Sequence, residues 1–91
     1  MSLNHKTEMI PMVIVAFGEP FISLWKGFPP FVPRKLFCER TAIYSPHTMA
    51  NLDCKKQGPS GKCRVGNKTC YERTSAVVWY HSRVKPIEGS K

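Results

Sequence analysis

The 91-residue sequence predicts an α+β fold: a small, mainly antiparallel sheet of four to five strands, one short helix near 46–57 and a disulfide-pinned hairpin at 62–80. Three observations lead there. Gly66-Asn67 is a two-residue turn signal between strand-like runs, because both residues accept the positive φ that tight hairpin turns require. Ser45-Pro46 and Gly58-Pro59 bracket a helix. All four cysteines fall within residues 34–85, where one pair can pin the hairpin and the other can clamp the helix to the strand before it.

Taken in order, residues 9–17 (MIPMVIVAF) are rich in β-branched side chains and have no polar face. That suits a buried strand, with Pro11 confining its start to an edge. Gly18-Glu19-Pro20 reads as a turn. Residues 21–25 (FISLW) fit a second strand, although five residues have no period that separates a strand from a helical turn. Residues 26–33 (KGFPPFVP) hold three prolines in five positions, which favours an extended, polyproline-like run. Phe28 and Phe31 within it are costly to leave in water, so they fold back on the domain or dock on another chain.

Residues 34–44 (RKLFCERTAIY) read as a further strand, although period-two counting leaves neither face clean. The helix follows, with Ser45 as N-cap, Pro46 at the first position, and Lys55 and Lys56 in the last turn against the dipole. If Gly66-Asn67 is the loop, Val65 faces Lys68, Arg64 faces Thr69 and Cys63 faces Cys70. Directly opposed cysteines lie within disulfide range, so Cys63–Cys70 is the expected bridge. That leaves Cys38 for Cys54, a clamp between strand and helix worth roughly 3 kcal/mol in chain entropy. Residues 69–81 are expected to continue as a long strand, its apolar end central in the sheet.

One domain is expected, with three compositional zones. Residues 1–33 are neutral, apolar and proline-rich: Lys6 and Lys26 balance Glu8 and Glu19. Residues 34–85 form the basic, cysteine-containing core, and 86–91 a polar tail. The whole net charge of +8 therefore belongs to the rear of the chain. Such a field favours acidic partners. The apolar run at 9–17 is far below the ~20 residues of a spanning helix. It resembles a signal peptide only faintly, because Glu8 and Pro11 interrupt it, so it is read as structure with no membrane span.

The cysteines are spaced C-x15-C-x8-C-x6-C, with no knuckle of the kind that opens structural zinc sites. His47 and His81 fit no ligand pattern with them, so no metal and no cofactor is expected. Asn67-Lys68-Thr69 is an N-glycosylation sequon in the expected exposed turn. With two disulfides it points to an extracellular or secretory location, the alternative being an intracellular assembly.

Residues 63–71 (CRVGNKTCY) resemble the small disulfide hairpin of pancreatic-type ribonucleases: Cys, six residues, then Cys-Tyr, with a basic residue and a Gly inside. The likeness covers nine residues. That family's activity rests on two histidines and on a lysine following a cysteine; here Glu39 follows Cys38, and no histidine stands in a matching motif. Nothing beyond a cysteine-bearing hairpin is implied.

No carboxylate pair, nucleophile elbow, HExxH motif or phosphate-cradling glycine loop is present, which argues against an enzyme. The expected function is a small, basic, secreted binding protein without catalytic residues. Its surface is Lys55, Lys56, Lys62, Arg64, Lys68 and Arg73, with Tyr71, Trp79, Phe28 and Phe31 as aromatic contacts. The partner is an acidic protein, a glycan or a nucleic acid. One alternative is a structural subunit of a large ribonucleoprotein assembly. Another, less favoured, is a zinc-dependent nucleic-acid binder, and a chain with no evolved site is the bland one.

Overall fold

A computed structural model describes residues 9–85 and 87. It is α+β, but its balance differs from the expected one: three strands and five helices among the described residues. In chain order these are α1 (Met12–Phe17), α2 (Phe21–Gly27), β1 (Phe31–Pro33), α3 (Arg34–Thr41), α4 (Pro46–Cys54), β2 (Lys62–Val65), β3 (Lys68–Glu72) and α5 (Arg73–Arg83). The strands form one antiparallel sheet in the order β1-β3-β2. The polar tail at 86–91 lies outside the described residues, apart from the exposed Ile87.

Three segments expected as strands are helices, and prolines account for much of the difference. Pro11, Pro20 and Pro33 each stand immediately before a helix. Because the first N–H groups of a helix have no internal acceptor, a proline there loses nothing and its φ is already set. The Pro11 carbonyl accepts from Ile14 and Val15. Glu19 caps α2 by accepting from the Ser23 N–H at 3.0 Å. The six residues of α1 are too few to be helical alone. They are held because Ile14 is buried and Phe17 packs on Phe21 and His81.

In α3 the side chains Phe37, Cys38 and Thr41 are buried together, the i, i+1, i+4 arc of a helix. That arc explains why neither face of a strand looked clean. The long strand expected at 69–81 stops at Glu72, whose carboxylate accepts from the Thr74 and Ser75 N–H groups and starts α5.

Two expectations hold closely. Ser45 caps α4, accepting from the Thr48 N–H, with Pro46 at its first position. The helix ends before Gly58, at Cys54, because Lys56 takes the left-handed conformation (φ 60°). Gln57 N–H then reaches Leu52 O and Lys56 N–H reaches Asp53 O, the paired bonds of a Schellman stop. The hairpin register also matches: Val65 pairs with Lys68, Arg64 with Thr69 and Cys63 with Cys70.

Neither expected disulfide is present; all four cysteines are free thiols. Cys63 and Cys70 do oppose each other. The Cys70 sulfur, however, lies along its own strand, 3.8 Å from the Lys68 carbonyl, in a buried position. Cys38 is buried in α3, while Cys54 is exposed at the end of α4.

The core draws on both ends of the sequence. Ile14, Phe21, Trp25, Phe28 and Val32 from the front join Phe37, Met49, Tyr71, Ala76 and Val77 in one cluster. Phe37 is its centre, with ring centroids 5.8–6.2 Å from Tyr71, Trp79, Phe28 and Tyr80. Phe28 therefore folds back and is 2% exposed, whereas Phe31 on edge strand β1 stays 51% exposed.

Candidate anion-binding surface

The surface is built on a buried polar node. The register of β3 puts Tyr71 beside Val32 and Lys62 across the sheet. Its hydroxyl donates to Asp53 Oδ2 at 2.7 Å and accepts from Arg34 Nε at 3.0 Å. Arg34 closes the triangle by donating Nη2 to the same Asp53 oxygen at 2.7 Å. The Asp53 side chain is only 5% exposed, and Gly58 lies so close that a Cβ there would clash with its carboxylate. Burial pushes the Tyr71 phenol well above its ordinary range, and the bond to Asp53 adds to this against the opposing effect of Arg34. For Arg34, burial alone would lower the pKa, but the bonds to Tyr71 and Asp53 outweigh it and hold the guanidinium charged.

Around the node lie three shallow depressions that share their cations. One is lined by Arg34, Lys62, Cys63, Arg64 and Thr69. A second takes Arg34 and Thr69 as well, with Lys35, Lys68, Pro33 and Pro46. The third, about 420 Å³, runs from Lys56 through Gly58 and Ser60 to Lys62, with Asp53 in its wall. Among the described residues Asp53 is the single carboxylate in the three linings, and Arg34 already neutralises it.

Of the residues the sequence singled out, Lys56, Lys62, Arg64 and Lys68 come together here, and Lys55 is exposed beside Lys56 at the end of α4. Arg73 does not join them. Its guanidinium lies 3.6 Å over the Trp25 ring and donates to the Phe28 carbonyl at 3.0 Å, so it ties α5 to the front of the chain. Three of the four expected aromatic contacts are also spent on packing, Phe31 being the exposed one. Tyr71 and Phe28 are buried, and Trp79 packs on Tyr44 while its indole N–H donates to Gln57 O at 2.9 Å.

Asn67 is exposed in the hairpin turn. His81 stacks on Phe17 with centroids 3.6 Å apart, a packing role, and His47 is exposed on α4. Among the described residues, no three His, Cys, Asp or Glu side chains converge to hold a metal ion. None of the described helices is long and apolar enough to cross a membrane.

Arg34 and Lys35 join this surface although the sequence predicts a strand there. The available signal was the helical spacing of Arg34, Phe37, Cys38 and Thr41, with Pro33 in front as a helix start. Comparison with protein-family models, with curated proteins and with solved structures gives no match to this chain.

Proposed function

We propose that this chain is a small, non-enzymatic nucleic-acid-binding protein that holds the phosphate backbone on the basic surface around the β2–β3 hairpin and the ends of α3 and α4. One observation carries the reading: Lys35, Lys56, Lys62, Arg64 and Lys68 line adjoining depressions whose single carboxylate among the described residues is already paired. A carboxylate-poor cationic surface attracts polyanions, and counterion release makes such binding strongly salt-dependent. With five cations engaged, log K should fall against log salt with a slope of about −4.5 on duplex DNA.

The test is a salt titration by fluorescence anisotropy on the native chain and on the K62E/R64E double variant, with circular dichroism to show that the variant folds. A folded variant should bind at least about tenfold more weakly and lose about two units of slope. Equal binding by both proteins sinks the reading, and so does a preference for a sulfated glycan or an acidic peptide over nucleic acid.

A second reading, a subunit of a ribonucleoprotein assembly, is favoured by the exposed apolar side chains Met12, Val13 and Val15 on α1, which a neighbour would cover. The secretory location expected from the sequence retains only the exposed Asn67 sequon in its support, because the cysteines are free. A mass shift on glycosidase treatment of the natural protein would be its direct test.

A further inference from the structure

Resting on the nucleic-acid reading, we infer that the ligand is duplex DNA and that the tip of the β2–β3 hairpin enters its major groove. Three features of the hairpin point there. The first is its reach. Arg64, Val65, Gly66, Asn67 and Lys68 are all exposed, whereas Cys70 one turn of the pleat inward is buried. Two to three residues per strand at about 3.3 Å each give a free tip of roughly 7–10 Å, against a major-groove depth of about 8.5 Å. A sheet with its side chains is about 10 Å thick, and the groove is about 12 Å wide.

The second feature is the placement of charge. The pleat puts Arg64 with Thr69 on one face of the hairpin and Lys68 with Val65 on the other. A ribbon inserted tip-first thus offers a cation to each phosphate wall, while Lys62 and Lys35 extend the contact beyond the groove edge. Asn67 stands at the apex, where an amide can both donate to and accept from a base edge.

The third feature is the lack, among the described residues, of a stacking platform around the hairpin tip. Sequence-tolerant single-strand binding uses exposed aromatic rings. Here Tyr71 is buried with its hydroxyl fixed by Asp53, and Trp79 is packed against Tyr44. Phe31 is exposed, but it pairs with Glu72 at the far end of β3 from the tip. Duplex RNA fits no better, because its major groove is too deep and narrow for side chains to read.

The experiment compares three probes of one sequence, a short duplex DNA, its single strand and the matching duplex RNA, by anisotropy with the native chain and with K62E/R64E. Methylation footprinting on the DNA duplex runs alongside. Duplex DNA should bind at least about tenfold more tightly than the other two, with guanine N7 protected in the major groove. Protection should be lost in Asn67→Ala before affinity is. Equal or tighter binding of the single strand or the RNA overturns the duplex inference, while loss of that binding in K62E/R64E leaves the basic-face reading standing. Protection of adenine N3 in the minor groove overturns the hairpin placement. No binding to any probe overturns both.

Discussion

The Tyr71 hydroxyl donates to Asp53 Oδ2 at 2.7 Å, joining the middle of the sheet to the last turn of α4 beneath the basic face. Because Arg34 binds the same oxygen at 2.7 Å, one carboxylate fixes three elements of the fold. Asp53→Ala leaves a partly buried guanidinium and a buried hydroxyl without their acceptor. It should destabilise the chain by about 3 kcal/mol. Tyr71→Phe removes one donor and keeps the ion pair, so about 1 kcal/mol is expected. Urea unfolding of the two variants checks the order; a larger loss for Tyr71→Phe would contradict it.

The same phenol sets an alkaline limit. Its pKa is raised in the fold, chiefly by burial, above its ordinary value of 10.0. Below that value both states hold the proton, and the contribution to stability is complete. As pH rises past it the unfolded chain releases the proton while the fold retains it, so stability falls with pH. Unfolding free energy should decline above pH 10.0 in the native chain, and the decline should be shallower in Tyr71→Phe.

At the acid end the group to watch is Glu72. Burial alone would raise its pKa, but the Ser75 and Thr74 N–H groups, the Ser75 hydroxyl and Arg73 outweigh it and hold the carboxyl below its ordinary 4.5. Its contribution is therefore present above 4.5 and is lost as pH falls through the lower folded value. Glu72→Gln should flatten that acid limb. Glu72→Ala should cost about 1 kcal/mol at neutral pH through loss of the cap. An unchanged acid limb in Glu72→Gln would remove Glu72 from the account.

Four free thiols in different surroundings give a graded reactivity. Cys54 is exposed and Cys63 half-buried, while Cys38 and Cys70 are buried. Burial also raises the Cys38 thiol, lowering its thiolate fraction. A thiol reagent should label Cys54 first, then Cys63, and reach Cys38 and Cys70 only on unfolding. Intact mass should be the same with and without reductant. Two hydrogens fewer in the unreduced sample would contradict the free-thiol state.

What could be read from the sequence was whatever local chemistry decides alone. Ser45-Pro46 and Gly66-Asn67 carry their own capping and turn geometry, so α4 and the hairpin register were legible from a few residues. The β-branched run in α1 and the apolar end of α5 carry strand propensity, and tertiary packing overrides it. Ile14 is buried only because α2 and α5 meet α1 there, and Val77 only because α5 turns across the sheet. Glu72 is a weak N-cap by residue type, so nothing local announced the change from strand to helix. The basic face was legible in part. Lys62, Arg64 and Lys68 follow from the turn, whereas Arg34 and Lys35 enter only through the position of α3, and Arg73 leaves because Trp25 stands beneath it.

Phe28 and Phe31 give the sharpest test of how the front of the chain is used. They lie three residues apart in one proline-rich run, and the sequence offers no reason to treat them differently. In the fold, Phe28 stacks on Phe37 with centroids 6.1 Å apart, and its carbonyl accepts from Arg73. Phe31 lies on the outer strand of the sheet with half its surface in water. Phe28→Ala should therefore destabilise by about 3–5 kcal/mol, enough to threaten folding of a chain this small. Phe31→Ala should cost less than about 1 kcal/mol. Thermal unfolding of both variants decides the matter. Similar losses would mean that residues 26–33 contribute to the core as a unit, and a larger loss at Phe31 would reverse the assignment of inner and outer positions along the run.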